Sequence, residues 1–427
     1  MKRFFILSLL AIMTCGMASA QETYEEYVRQ QQEEMKKQVD ERDQYMKDAQ
    51  AEYEAYEKAR KAEYEAFCAQ VEKMWGKNQY VESTQKDWVE YSDDLSSRSI
   101  VDFANGQVKV EIVVDDKDMR DTAVINRRLE AAVSDLLVSK GKSVDYKSKV
   151  DSQKPLADQS LLGNQIDLKK YGYANDAIVK AEKKTVKSSS SKSGKSTAKV
   201  AGAVSQDLAT VADKIGRAVV GSQKPVVTST TTNGSKGNII SVSMQLVEDH
   251  IPQRAQKYRR HISKYAQKFD VDEPLILAVM EQESYFNPAA RSHVPAYGLM
   301  QLVPKSGGRD SYKYVYKIDR TPSPSYLLDP ENNIELGSGY LRLLMNRYFS
   351  GVENERCRML CAIAAYNTGA GNVSRAFNKT TNIKAAIPTI NSMSYDELFA
   401  YLKKNLPHAE TRDYIQKVTQ KMEKYIK

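Results

Sequence analysis

Between Gln21 and Trp75 the chain contains neither glycine nor proline. With nothing there to break a helix and many Glu, Lys, Gln and Ala residues, the segment reads as one or two long exposed helices. Cysteine is nearly absent, with four in 427 residues, which excludes a disulfide-built fold. Cys357 and Cys361, four apart on one face of a predicted helix, read as buried thiols rather than a bridge. His250, His261, His293 and His408 lack the spacing of metal ligands, so neither a metal nor another cofactor is expected. Long apolar runs are missing too: Phe4 to Met13 is too short to span a bilayer, and no later segment qualifies.

What the chain does have is concentrated between Glu281 and Gln301. The run from Glu273 to Tyr285 predicts a helix, with Asp272 placed to cap it and Pro274 in the first turn, where a missing N–H costs nothing. Ile276, Met280 and Glu283 step by four and then three residues, so they share one face with Val279 beside them, turned toward a core. Glu283 is therefore expected to be half buried. A carboxyl held against apolar surface loses solvation of its charged form, so its pKa should rise, as an acid that must carry a proton at neutral pH requires. Glu281, about 200° away around the helix, reads as a solvated charge. On the helix alone a structural role for Glu283 is the commoner explanation, since most buried glutamates are structural.

The residues that follow change that balance. Ser284-Tyr285-Phe286-Asn287-Pro288 ends the helix; Ala290, Ser292, Ala296 and Gly298-Leu299-Met300-Gln301 suit a cleft wall. Later come Asp329-Pro330-x-x-Asn333-Ile334-x-x-Gly337, Ala365-Tyr366-Asn367-x-Gly369-x-Gly371 and Glu410-Thr411-Arg412-x-Tyr414. Each motif alone is weak, but the set in this order resembles the catalytic domain of lytic transglycosylases, lysozyme-like enzymes that cut the glycan strands of bacterial peptidoglycan. The resemblance runs from about Ile251 to the C-terminus.

Carried over residue by residue, the resemblance implies that Glu283 is the catalytic acid and that Ser292 hydrogen-bonds and orients its carboxyl. It places Gly298, Met300 and Gln301 in the substrate-binding wall, Met300 as an apolar surface and Gln301 as the amide beside the sugar N-acetyl group. Tyr366 falls beside the reacting sugar, Asn367 completes that turn, and Glu410 is a supporting glutamate. Pro295 departs from the family, which usually has glycine there; with φ fixed and no N–H, the loop before Ala296 is expected to take another path. One carboxyl suffices if the substrate's own N-acetyl group attacks the anomeric carbon. The product would then be a 1,6-anhydromuramyl end, made without water. An aspartate able to activate water would give hydrolysis instead, and spacing leaves Asp310, Asp319 and Asp329 open. A peptidoglycan-binding scaffold without turnover is the alternative from another class.

The N-terminus agrees with a wall substrate. Lys2 and Arg3 precede the apolar run, and Ala18-Ser19-Ala20 has the small-x-small pattern of a secretory cleavage site, predicting a mature chain from Gln21 in the periplasm or cell envelope. Cys15 offers lipid anchoring as the less favoured reading, because Met13 and Thr14 precede it. Within the charged helix, Ala51-Glu52-Tyr53-Glu54-Ala55-Tyr56 recurs as Ala62-Glu63-Tyr64-Glu65-Ala66-Phe67, placing Tyr53 and Tyr64 on one stripe. Packing explains that spacing better than sugar stacking, and a membrane or envelope partner for this helix stays open.

From Gly76 the character changes. Ile100 to Phe103, Asn105-Gly106 and Val108-x-Val110-x-Ile112 read as a hairpin, a helix is expected from about Asp118 to Lys140, and Ile240-x-Val242-x-Met244-x-Leu246 alternates as a strand. With Trp75, Trp88 and Tyr91, this unit resembles the non-catalytic N-terminal domain of a membrane-bound branch of the same family. A basic insertion, about 142–236, is expected to be flexible except for a helix from Val204 to Val219. Its Ser193-Gly194-Lys195-Ser196 is no phosphate loop, because Ser189 stands where the first glycine belongs. The net charge of +8 is partly concentrated here; solvation explains it, and nucleic acid is not an expected partner. The expected architecture is α+β: a leader (1–20), a long charged helical extension (21–75), a small α/β module (76–247) and a mainly α lysozyme-like catalytic domain (248–427) acting on peptidoglycan glycan strands.

Overall fold

The structure is a computed structural model that describes residues 2–143, 146, 148–151, 154–190, 206–232 and 235–426. The side chains of the expected leader and the Ser193-Gly194-Lys195-Ser196 tract lie outside the described residues. Two compact units are present, Met1–Lys61 and Ala62–Lys427. The first consists of helix α1 (Lys2–Trp75) up to Lys61. It is supported along its exposed surface by contacts four residues apart, such as Gln44 to Asp48 at 2.8 Å and Gln50 to Glu54 at 2.5 Å.

The second unit begins with the last turns of α1 and contains an antiparallel sheet of strands β1 (Asp87–Tyr91), β2 (Ser97–Asp102), β3 (Gln107–Asp115), β4 (Val226–Thr232) and β5 (Ser235–Gln245), in the order β1-β2-β3-β5-β4. The β2–β3 hairpin forms where the sequence predicts it, with Gly106 at φ +68° in the turn. Strand alternation sorts two cores. Trp88, Val101, Val108, Val110, Ile112, Ile240, Val242 and Met244 face one way. On the other face Val89, Tyr91, Val113 and Ile239 meet Phe67, Val71 and Trp75 from the end of α1. The rings of Tyr64 and Phe67 stand edge-on to Tyr80 at 6.0 and 6.1 Å, so this half of the aromatic stripe is packing.

Helices α2 (Thr122–Val138), α3 (Ala177–Ser190) and α4 (Gln206–Gly221) belong to the same half. Here the expected flexible insertion is corrected. Leu156, Leu161, Leu162, Ile166, Leu168 and Ile178 are all buried in the sheet's core, and β4 lies within the same span. The helix expected from Val204 to Val219 is present as α4 from Gln206, with Leu208, Ala212, Ile215 and Val219 buried in that core. Burial of these scattered aliphatic residues orders the chain on either side of the Lys- and Ser-rich stretch.

The helical half comprises α5 (His250–Phe269), α6 (Glu273–Ser284), α7 (Arg309–Tyr316), α8 (Pro324–Leu328), α9 (Pro330–Leu343), α10 (Glu355–Thr368), α11 (Ala370–Asn378), α12 (Ile383–Asn391), α13 (Tyr395–Asn405) and α14 (Ala409–Ile426). Its core surrounds α6, whose residues from Leu275 to Met280 are all buried. The boundary expected at 247/248 does not divide the packing: Ala289, Tyr297, Leu302, Leu327, Leu328 and Leu336 are buried in the core of the sheet half.

Arg254 of α5 sits at this junction, almost fully buried. It donates to Tyr285 O at 2.8 Å, Gln165 Oε1 at 3.2 Å and Phe103 O at 3.2 Å, and approaches His250 Nδ1 at 2.8 Å. Burial in this site pulls its guanidinium down to about 9. His250 is lowered to about 4 by burial and the neighbouring Arg254 charge, so the imidazole is neutral.

Candidate active site

Helix α6 starts where Asp272 and Pro274 predict and ends in two left-handed residues, Tyr285 at φ +50° and Phe286 at φ +60°. That turn buries Phe286 and sends the chain back along the helix end. Asn287, fully buried, closes it: its Nδ2 donates to Asp87 O at 3.2 Å, while its Oδ1 accepts from Ala289 N at 3.0 Å. Glu283 lies in the last turn of α6, partly buried, with its side chain at the edge of the helical core.

Burial pushes the Glu283 carboxyl up to about 7, assisted by the charge of Glu410 and opposed by a hydrogen bond from Tyr414 Oη to Glu283 Oε1 at 2.6 Å. A hydroxyl donor favours the charged form; desolvation and a like charge disfavour it, and here the latter prevail. Tyr366, at the end of α10, feels the Glu283 charge, and burial lifts its phenol well above the usual range. Its hydroxyl donates to Met300 O at 2.8 Å and its ring leans on Tyr340, with centroids 5.4 Å apart. Asn367, next in the chain, accepts from Thr411 Oγ1 at 2.7 Å, tying α10 to the α14 turn that carries exposed Glu410.

The wall formed by residues 297–302 is held by one buried amide. Asn333 donates to Tyr297 O at 2.8 Å and Leu327 O at 2.7 Å and accepts from Met300 N at 2.7 Å. Gly298, at φ +77°, passes so close that a Cβ would stand 2.4 Å from Leu327 O and 2.5 Å from Asn333 Nδ2. No larger residue fits there. Gln301, also left-handed at φ +46°, is 7% exposed; its Nε2 donates to Gly298 O at 3.0 Å. Its Oε1 is buried without a partner among the described residues, an acceptor left over at the wall.

Three sequence expectations are corrected. Ser292 does not bond the Glu283 carboxyl: its hydroxyl donates to Val294 O within its own turn, which Ser292 N closes on Ala296 O at 3.3 Å, and the hydroxyl that reaches Glu283 is that of Tyr414. Small hydroxyl residues make such local bonds readily, and His293, Val294 and Pro295 stand exposed around it. Met300 presents backbone rather than an apolar surface, since its side chain is fully buried against Gly337, where a Cβ would be 2.2 Å from its Sδ. Glu281 is not solvated but 5% exposed, among Lys421, Lys424 and Tyr425. Tyr414 and Asn333 were visible within the motifs but carried no assigned role, and nothing local marks Arg254.

Residues 260–387 match the Transglycosylase SLT domain, and residues 45–167 match the Membrane-bound lytic murein transglycosylase C, N-terminal domain. The chain is 33% identical over 360 residues to membrane-bound lytic murein transglycosylase C of Sodalis glossinidius, covering 84% of this chain and 88% of that one. It is 32% identical, over 84% and 87%, to the protein of the same name from Klebsiella pneumoniae. The 70 kDa soluble lytic transglycosylase of Escherichia coli aligns over 42% of this chain and 25% of its own, at 27% identity and a TM-score of 0.32. At about a third identity over more than four fifths of both chains, with one matched region in the sheet half and the other in the helical half, the chain belongs to the membrane-bound lytic murein transglycosylase C family.

Proposed function

We propose that the chain is a peptidoglycan lytic transglycosylase acting in cell wall turnover, and that Glu283 is its acid and base in succession. The observation that carries this reading is the Glu283 carboxyl itself, raised to about 7 yet hydrogen-bonded by Tyr414. A group balanced near neutrality can give a proton and take one back.

In the first step protonated Glu283 delivers its proton to the β-1,4 glycosidic oxygen between N-acetylmuramic acid and N-acetylglucosamine as the C1–O bond breaks. The muramyl N-acetyl oxygen bonds to C1, so the sugar supplies the group that a second carboxylate supplies in other glycosidases. In the second step the Glu283 carboxylate takes the proton from the C6 hydroxyl. That oxygen attacks C1 and displaces the acetyl oxygen, leaving a 1,6-anhydro ring and the protonated acid. The Tyr414 hydroxyl holds the carboxylate in the interval between the two transfers. Ser292, Gly298, Gln301, Tyr366, Asn367 and Glu410 remain the substrate-binding assignment; Met300 contributes its backbone, which fixes Tyr366.

Two of the aspartates that could have served hydrolysis are occupied. Asp319 is paired with Arg309 at 2.6 Å and Lys313 at 2.8 Å, and Asp329 caps α9 by accepting from Asn332 N at 3.0 Å. The carboxylate whose charge acts on Glu283 is Glu410. Localisation in the cell envelope follows from the family, whose members are named membrane-bound. Among the described residues no helix is long and apolar enough to cross a membrane. A lipid on Cys15 or an envelope partner of α1 would be the means of attachment under this reading. Mass spectrometry of sacculi digested with the pure protein tests the reaction: anhydro ends support it, and release of reducing ends alone refutes it.

A further inference from the structure

Helix α6 also carries the carboxylate of Glu281, 5% exposed, whose hydrogen-bond and ion-pair partners lie at the end of α14. Glu281 receives a short hydrogen bond from Tyr425 Oη, with Lys424 Nζ 3.3 Å from its Oε2 and Lys421 Nζ 3.5 Å from its Oε1. Lys421 also lies 4.9 Å from the ring centroid of Tyr285, in the turn that ends α6. These groups belong to the last two turns of α14, the helix that delivers Tyr414 to Glu283. Tyr414 and Tyr425 are eleven residues apart, about three helical turns, so both point from one side of α14 toward α6.

We propose that Glu281 is a positioning residue: with Lys421, Lys424 and Tyr425 it clamps the end of α14 to the catalytic helix and so holds the Tyr414 hydroxyl on the carboxyl of Glu283. The proposal rests on Glu283 being the proton donor. A bond of this length tolerates little displacement, and beyond Tyr414 the apolar grip on α14 comes mainly from buried Ile415 and Val418. Burial pushes the Glu281 carboxyl up, but the Tyr425 hydroxyl and the two ammonium groups outweigh that and hold it ionised, with Arg254 adding positive charge from α5. The groups facing Glu283 are Tyr414 and Glu410 from α14 and Tyr366 from α10. If α14 loosens, the hydroxyl that lowers Glu283 and the charge that raises it both recede. The hydroxyl is the stronger of the two, so the acid should become harder to ionise.

The test uses the full chain with Glu281→Gln and Tyr425→Phe, and measures kcat and KM on soluble glycan strands across pH. Tyr425→Phe removes one oxygen near the C-terminus and leaves the core intact. The expected result is KM unchanged within about twofold, kcat lower by about threefold to tenfold, and the basic limb of the profile moved up by about half a pH unit. In a Tyr414→Phe background the same substitutions should add nothing. A limb and kcat that stay put in both variants, a lower melting temperature alone, or equal effects in the Tyr414→Phe background would overturn the clamp. Glu283→Gln serves as control: if it retains turnover, the reading of Glu283 fails, whereas an inactive Glu283→Gln with an unmoved Glu281→Gln profile removes only the clamp.

Discussion

The hydroxyl of Tyr414 meets the carboxyl of Glu283 at 2.6 Å across 131 residues of sequence. It opposes the burial that raises the acid, so the working pKa is a balance between the two.

Tyr414→Phe removes the side of that balance favouring ionisation. The basic limb of the rate profile should move upward by about one pH unit, since a hydrogen bond to a charged group contributes about 1.5 kcal/mol or more. Initial rates on sacculi between pH 5 and 9 read this directly, and a limb that moves down would refute the assigned sense of the bond.

Glu283→Gln should abolish glycan cleavage, by a factor of about a thousand or more. It should also stabilise the fold at alkaline pH. The folded chain holds a proton on Glu283 up to about 7, whereas the ordinary carboxyl loses it near 4.5. Folding therefore takes up a proton across that window, and wild-type stability falls as pH rises through it. The variant escapes this loss, so its advantage should be small at pH 4 and reach at most about 3 kcal/mol above pH 7. Denaturant melts at the two pH values check it.

Gly337→Ala would drive a methyl group into Met300 Sδ, 2.2 Å from where its Cβ would stand. We expect a loss of about 1–3 kcal/mol from overpacking. Because Met300 O holds Tyr366, kcat should fall along with the melting temperature. An unchanged kcat would show that the Tyr366 ring is fixed without that carbonyl.

Arg254→Met keeps the length of the side chain but leaves the carbonyls of Tyr285 and Phe103 and the amide of Gln165 without their donor. A cost of about 3 kcal/mol or more is expected. The sheet and helical halves should still unfold in a single transition, because they share a core. Two separated transitions by calorimetry would contradict the shared packing.

Sequence was most informative where the physics is local. The start of α6 at Asp272 and Pro274 and the β2–β3 turn at Gly106 follow from backbone preferences over a few residues. The facing of Glu281 did not, because the helical-wheel argument assumes one core on one side, and α6 is buried around its whole circumference. Its unbroken apolar run, Leu275 to Met280, was the available signal. The partners of Glu281, such as Lys424 and Tyr425, are 143 and 144 residues away in sequence, beyond the reach of any periodicity. The insertion was misjudged for the opposite reason: a short Lys- and Ser-rich tract coloured its neighbours, and outside α4 the aliphatic residues from Leu156 to Ile178 are too irregularly spaced to show a face. Ser292 went astray because a motif transfers residue types but not hydrogen-bond partners, and its hydroxyl is taken up within its own turn.

The three bonds made by Asn333 leave the 297–302 wall with no slack, whereas His293, Val294 and Pro295 stand in solvent on the adjoining turn. Under the proposed substrate assignment, any tailoring to differently decorated glycans falls to that exposed turn. Divergence among kindred chains should gather there and spare the rivet beneath it.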